Sequence, residues 1–325
     1  MATRDDVARL AGVSGASVSR AFNCPDKLDQ KTYERIMAAA KALNYHPNYY
    51  GSVLRGKHTK QIYTYCPELA NPFFVHVYFG MEQCALDHEY QIFLTRTFNR
   101  KMIMQGRYDG FLFPIYNYFD ILEDIYYLKN RHLPFVTTNF DDLYQTEFYT
   151  VGVDVEAAGY CAAEHLCKLG HSDIIYAAPN IDKKWVGILK CCNQYNSNVT
   201  PIIYKSESLI INNYEVGFHC AEIINKEQQK PTAIICANDE IAIGLINRLT
   251  SLGYRIPHQI SVIGFDDINI AKHYIPSLTT IRYPKFQIGY EMARILIAMV
   301  NGESVPQNTI LQTELIVRES TAPVT

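Results

Sequence analysis

The stretch Asp6-Val-Ala-Arg-Leu-Ala-Gly-Val-Ser-Gly-Ala-Ser-Val-Ser-Arg-Ala-Phe-Asn23 decides the fold of the amino-terminal region. Just before it, Thr3 pairs with Asp6 three residues on as N-cap and first-turn acid, and Val7, Leu10 and Ala11 mark one apolar helix face. Gly12 ends that helix. Ser14, with Ser17 three residues later, caps a second helix whose buried side is Val18, Ala21 and Phe22. Asp29 caps a third, in which Tyr33, Ile36, Ala40 and Leu43 recur at helical spacing until Pro47 stops it. Two short helices joined through a glycine turn, with a third to bury their apolar faces, predict an α-helical helix-turn-helix head over residues 1–46.

Charge points to the partner of this head. Residues 1–60 carry ten Lys and Arg against five Asp and Glu, or +5; the remainder carries 20 against 28, or −8, an asymmetry hidden in the whole-chain charge of −3. A small cationic head before a large anionic body suits a polyanion. On duplex DNA the second helix would enter the major groove by its N-terminal end. There free backbone N–H groups and Ser14, Ser17 and Ser19 meet phosphates, while Arg20 reaches a guanine edge or a phosphate. Thr3, Asn23 and Tyr45 are further phosphate candidates. For a single short helix the plainer reading makes the serines caps and Arg20 a surface cation; the charge asymmetry shifts the balance toward DNA.

The length of 325 residues and 48% hydrophobic content suit a folded chain of two or three domains. Apolar stretches such as Ile295 to Val300 fall far short of the roughly 18 residues of a membrane span. Met1 is followed by Arg4, Asp5 and Asp6 rather than an apolar segment, so no secretory signal, no membrane partner and a cytoplasmic location are expected. Nine cysteines, an odd number without C-x2-C spacing, read as small core residues; neither a metal nor a cofactor is expected.

From Gln61 onward apolar runs alternate with amphipathic stretches. Predicted strands include Ile62 to Cys66, Gln91 to Thr95, Gly110 to Phe113, Phe135 to Thr138, Ile174 to Ala177, Ile202 to Lys205, Ala233 to Ala237 and Ser261 to Phe265. Helices between them include Phe73 to His88, Ile121 to Asn130, Ala157 to Leu169, Glu215 to Asn225 and Glu240 to Leu252. This is the βαβ pattern of doubly wound parallel sheets, and residues 61–325 are long enough for two such α/β subdomains. Only Phe98 to Tyr108 separate the second and third strands, which allows a stunted crossover helix and an unusual edge on that lobe.

The opening motif and Leu43-Asn-Tyr-His-Pro-Asn48 together resemble the lactose/galactose repressor (LacI/GalR) family. Asn71-Pro-Phe-Phe74, Gly152-Val-Asp154, Ala237-Asn-Asp239, Ile260-Ser-Val-Ile-Gly-Phe-Asp-Asp267, Leu278-Thr-Thr-Ile281 and Glu314-Leu-Ile-Val-Arg-Glu-Ser320 extend the likeness over nearly the whole chain. The resemblance implies a two-lobed body like that of the periplasmic binding proteins, with the chain crossing between lobes and serving both effector binding and dimerisation. It makes Gly15 and Ala16 the positions that read base edges, where neither offers a hydrogen-bonding side chain, and adds Asn48 to the DNA-binding set. It also makes residues 47–60 a hinge that folds on DNA, with Leu54 wedged between base pairs in the minor groove. Tyr50 and Gly51 depart from the residues usual there.

Ligands in such sheets sit beyond the carboxyl ends of the strands. Asp266 and Asn238 each follow a predicted strand, and a carboxylate beside an amide suits a sugar or polyol, with Phe73 and Phe74 offering apolar faces. The family places an arginine three residues before the glycine at 187; here that position is Lys184. Asp239 and Asp267 read as helix or turn caps and His171 as a structural residue.

The expected function is a DNA-binding transcriptional regulator, a repressor of carbohydrate-utilisation genes, whose affinity for a palindromic operator is set by a sugar or sugar phosphate. A homodimer follows from the palindrome. With the chain ending soon after Ser320, no tetramerising coiled coil is expected. A phosphocarrier corepressor, known for some relatives, is a further partner the resemblance admits. A sugar-transport component would need a signal sequence and no cationic head. An enzyme is disfavoured by the lack of a nucleophile elbow, P-loop or G-x-G-x-x-G, and by the adjacency of Asp266 and Asp267, so no catalytic residue is assigned.

Overall fold

The computed structural model describes residues 2–45, 58–105, 108–115, 121–139, 147–204 and 212–324. Pro47, Asn48, Tyr50, Gly51 and Leu54 lie outside these residues. The chain divides into two compact units, with the boundary between Thr59 and Lys60.

The head holds α1 (Arg4–Ala11), α2 (Gly15–Asn23) and α3 (Gln30–Ala42). Thr3 and Asp6 form a reciprocal capping box, and Gly12 closes α1 in the left-handed conformation that glycine adopts without strain. Ser14 and Asp29 cap α2 and α3 through the backbone N–H groups of Ser17 and Thr32. The core is Val7, Ala8, Ala11, Val18, Ala21, Ile36, Ala39 and Ala40, with Phe22, Tyr33 and Leu43 packed against it. Leu10, expected on the buried face, is 57% exposed; Ala8 takes its place because α1 contacts its neighbours through small side chains. Leu43 ends α3, and Asn44 follows with φ 46°, so the helix stops before Pro47 is reached.

The body is two six-stranded sheets. The first lobe contains β1 (Gln61–Tyr65), α4 (Pro72–Asp87), β2 (Gln91–Thr95), α5 (Arg100–Gln105), β3 (Gly110–Phe113), α6 (Leu122–Asn130), β4 (Phe135–Asn139) and β5 (Thr150–Val153). The second contains α7 (Val155–Lys168), β6 (Asp173–Ala178), α8 (Lys183–Tyr195), β7 (Asn198–Ile203), α9 (Asn213–Lys226), β8 (Ala233–Cys236), α10 (Asp239–Ser251), β9 (Ser261–Asp266) and β10 (Thr279–Arg282). Then α11 (Lys285–Val300) and β11 (Asn308–Leu311) return to the first lobe, and β12 (Glu314–Ile316) goes back to the second. The chain therefore crosses between lobes three times: at Asp154, at Tyr283–Pro284, and between Leu311 and Glu314.

The strand orders are β11-β5-β4-β3-β1-β2 and β12-β10-β9-β8-β6-β7. All neighbours are parallel except β10 with β12, where Thr280 lies opposite Ile316. In each sheet the order reverses beside the first strand: β1 pairs with both β2 and β3, and β6 with both β7 and β8. Central strands such as β8 and β9 are buried throughout, as parallel strands covered on both faces must be. The short connection between β2 and β3 carries the six-residue α5. Beside it Tyr63, Phe111, Phe113, Phe135 and Phe148 form an aromatic core, with Phe98 and Tyr108 packed on it, so ring volume fills space that a longer helix would occupy.

Reciprocal glycines set the helix packing. A Cβ on Gly80 would lie 1.9 Å from Phe286 O and one on Gly289 1.8 Å from Val77 O, so α4 and α11 touch backbone to backbone. Gly159 and Gly187 do the same for α7 and α8, and Gly217 and Gly244 for α9 and α10.

Six of the nine cysteines are buried as expected, but Cys24 is exposed and Cys161 and Cys167 are half-buried. No helix among the described residues is long and apolar enough to cross a membrane.

Candidate functional site

The DNA candidates of the head lie together around α2. Ser14, Ala16, Ser19 and Arg20 are exposed, and Gly15 and Ser17 are half-buried. The Ser14 hydroxyl is 3.0 Å from that of Ser17 and accepts the Ser17 N–H at 3.1 Å, so both side chains are held at the N-terminus of α2, beside its free backbone donors. Thr3 is tied to Asp6, its hydroxyl donating to Asp6 Oδ2 at 2.6 Å. This hydroxyl, with the Thr3 backbone, holds the Asp6 carboxyl below its ordinary value. Tyr45 lays its ring edge-on to Phe22 at 5.9 Å, which fixes it against the helix core. Asn23 is the last residue of α2.

Arg4 was not singled out from the sequence. Its Nε lies 3.0 Å from the point a Cβ on Gly15 would occupy, and its guanidinium pairs with Asp5 at 3.2 Å. The missing side chain at Gly15 thus leaves room that an exposed cation takes.

In the body, Asp266 ends β9 and Asn238 caps α10 just after β8, its Oδ1 accepting from Ile241 N at 2.9 Å. Asp266 is 4% exposed, its φ of 101° is rare for a residue with a side chain, and its carboxylate accepts no hydrogen bond from any described residue. Burial pushes this carboxyl up to about 6, against the attraction of Lys285 and Lys184. Lys285, the first residue of α11, donates its ammonium to the backbone carbonyls of Asp266 and Asp267, the latter at 3.0 Å. Burial in turn lowers the Lys285 ammonium.

Lys184 sits in the first turn of α8, where its Nζ pairs with Asp182 Oδ2 at 2.7 Å and lies 5.4 Å from the Phe265 ring centroid. Asp182 also accepts the Tyr176 hydroxyl at 2.9 Å, and Trp185 stacks on Tyr176 with centroids 5.9 Å apart. Phe73 and Phe74 have no exposed surface: Phe73 packs edge-on to Phe74 at 5.2 Å and to Tyr283 at 6.2 Å. Glu68, in the loop after β1, is exposed, with Glu240 of the other lobe as a like-charged neighbour that raises its carboxyl. Two open hollows, of about 370 and 660 Å³, lie elsewhere, one between α4 and β2 and one beside the crossing at Asp154.

Two aspartates expected as caps do other work. Asp239 is fully buried and accepts from Thr280 Oγ1 at 2.6 Å and Ile268 N at 2.9 Å, pinning α10 to β10. Asp267 forms ion pairs with Arg318 at 2.5 Å and Arg282 at 2.7 Å, joining segments far apart in sequence. His171 is structural: its ring nitrogens lie 3.0 Å from Thr232 Oγ1 and 3.1 Å from Ser261 Oγ.

A cationic helix-turn-helix head and a two-lobed α/β body, with buried polar groups gathered at the strand ends, define a ligand-responsive DNA-binding regulator. The head, residues 3–48, matches the bacterial regulatory proteins of the lacI family, and residues 163–321 match the periplasmic binding protein-like domain. The HTH-type transcriptional repressor PurR of Mannheimia succiniciproducens is 30% identical over 337 residues, 98% of each chain, and that of Vibrio vulnificus is 30% identical over 338 residues. The lac repressor dimer bound to operator and the anti-inducer ONPF matches with TM-score 0.83 and 25% identity over 99% of both chains. The CelR–cellobiose complex matches with TM-score 0.70 and 25% identity over 98% of this chain and 100% of that one. The chain belongs to the LacI family: it is a DNA-binding transcriptional repressor that acts as a dimer and responds to a small-molecule effector, and it is not an enzyme.

Proposed function

We propose that this repressor controls carbohydrate-utilisation genes and that its effector is a sugar held between the lobes by Asp266, Asn238 and Lys184, with Phe73 and Phe74 behind them. The observation that carries this reading is the Asp266 carboxylate, buried at the end of β9 without a hydrogen-bond donor among the described residues. Vicinal hydroxyls supply the missing donors, and burial makes each such bond worth more than it would be in water. Lys184 is already paired with Asp182, and Asp266, Glu68 and Glu240 add acid, which favours a neutral sugar over a sugar phosphate.

The head supplies the DNA contacts: Ser14, Ser17, Ser19, Thr3, Asn23, Tyr45 and Asn48 to phosphates, Arg20 to a base edge, Gly15 and Ala16 close to the bases, and Leu54 in the minor groove of a palindromic operator. The protein works in the cytoplasm, with a phosphocarrier corepressor as a further partner. A purine base is the second reading, favoured by the 30% identity to repressors named PurR. Footprinting bound DNA across the source genome, then titrating the protein with the sugars and the purine bases that the neighbouring genes handle, separates the two. Sites beside sugar genes, and operator affinity that shifts with a sugar, are expected; sites beside purine genes and a response to bases alone would replace the first reading with the second.

A further inference from the structure

Three thiols meet where the last turns of α7 and α8 come together. The two helices run alongside each other, Gly159 against Lys184 and the Tyr160 hydroxyl donating to Gln194 at 2.9 Å, and this brings Cys167 level with Cys191 and Cys192. The Cys167 sulfur donates at 3.5 Å to the Oγ of Ser197, the residue just beyond α8 that also bonds Cys192, which sets the three cysteines at one junction. Ser197 is fixed in turn, its N–H bound to Cys192 O at 2.9 Å and its hydroxyl donating to His171 O at 3.3 Å. Cys191 and Cys192 are fully buried, while Cys167 is half-buried, so Cys167 is the one residue of the three with exposed surface.

The thiols differ in acidity. Contact with Cys192, then Ser197 and Cys191, lowers Cys167, whereas Cys192 is raised, first by its bond to Cys167 and then by burial. Lys168 beside it is paired with Glu164 at 2.9 Å. A lowered, reachable thiol next to a protonated one has the arrangement of an attacking sulfur and a resolving sulfur.

We propose that this cluster is a reversible oxidation site whose co-reactant is a hydroperoxide. The Cys167 thiolate attacks the terminal peroxide oxygen, the O–O bond breaks, and the alcohol or water leaves, giving Cys167 sulfenic acid. The Cys192 thiol then attacks the Cys167 sulfur, the S–O bond breaks and water leaves. In sum, two thiols and one hydroperoxide give one disulfide, one alcohol and one water, the two sulfurs losing the two electrons that the peroxide gains. The bond ties α7, which begins at the first lobe crossing, to α8, which carries Lys184.

The test uses the full-length reduced protein, treated with hydrogen peroxide, blocked with iodoacetamide and mapped by peptide mass. Exposed Cys24 of the head serves as the internal reference for non-selective oxidation. The expected product joins the Cys167 peptide to the Cys191–Cys192 peptide, two hydrogens lighter than the pair and separated again by dithiothreitol. C192S should stop the reaction at a Cys167 sulfenic acid that adds dimedone, and C167S should give neither product. The proposal is overturned if wild-type Cys167 stays fully alkylatable at doses that already oxidise Cys24, or if C167S loses Cys191 and Cys192 to oxidation as fast as wild type. The wild-type map alone decides the matter should a variant fail to fold.

Discussion

Asp266 is a carboxyl group buried without a hydrogen-bond donor among the described residues. Its raised value of about 6 comes first from burial, with Lys285 and Lys184 pulling the other way and Glu240 reinforcing the rise. If, as proposed, sugar hydroxyls donate to the ionised form, binding releases a proton wherever the free protein still holds one. Effector affinity should therefore rise up to about tenfold per pH unit below about 6 and level off above it. Asp266→Asn should remove that slope, as calorimetric titration across pH would read. For the unliganded fold the sign is opposite. A raised carboxyl stabilises the folded state fully below its ordinary value of 3.8, and that contribution is lost as pH rises through about 6. Asp266→Ala should abolish the ligand response while leaving operator binding intact. At the head, Arg20 is exposed and Arg4 occupies the space beside Gly15. If Arg20 reads a base edge, Arg20→Ala should cost about 1–3 kcal/mol of specific affinity and relax preference at one base pair, which selection from randomised operators would detect. Arg4→Ala should weaken binding to the same sequences if that cation shares the readout.

Elements are where sequence and structure agree most and where their differences have physical causes. Strands β2 and β3 have the bounds expected of them: β3 is an inner parallel strand and a continuous apolar run between turns, and β2, although an edge strand, carries the uninterrupted apolar run Ile92 to Leu94. Strand β7 does not: Ile202 to Lys205 was expected and Asn198–Ile203 is observed. It is an edge strand, half exposed and interrupted by Pro201, so its periodicity is weak. Helix α8 escaped notice because its buried face is Gly187, Ile188, Cys191 and Cys192, small residues that pack closely without a marked apolar stripe. Helix α11 escaped for the opposite reason, being buried on so many sides that no polar face marks its period. Asp266 and Asn238 were legible because strand ends are; Lys285 was not, since only the return of the chain through β10 brings it to Asp266. The close helix contacts were equally hidden, as a glycine in sequence does not announce its neighbour. They are testable: Gly289→Ala places a methyl 1.8 Å from Val77 O, which forces α4 and α11 apart. This should destabilise the body by about 2 kcal/mol in denaturant unfolding. Gly302→Ala, at a left-handed turn with no atom within 4 Å of the added carbon, should lose stability through backbone strain alone.

At the scale of the molecule, the segments at Asp154, Tyr283–Pro284 and Leu311 to Glu314 tie the two lobes together three times. The second crossing also places Lys285 against the carbonyls of Asp266 and Asp267, so a ligand that alters charge at Asp266 would act beside one of the crossings. An effector changes operator affinity only if it binds the two lobe arrangements unequally, and then operator must change effector affinity by the same factor. The proposed reporter is the tether. Its proposed contact is Leu54, and intercalation between base steps repays its unstacking cost only on DNA that the two heads have already aligned. Non-specific complexes, held by the cationic head through phosphates, gain nothing from that side chain. Leu54→Ala should therefore weaken operator binding by at least tenfold, leave binding to random duplex and its salt slope nearly unchanged, and reduce the effector response. Fluorescence anisotropy on operator and scrambled duplexes, each across a salt series, measures all three. An equal loss on both duplexes would remove the wedge and return the tether to a passive linker.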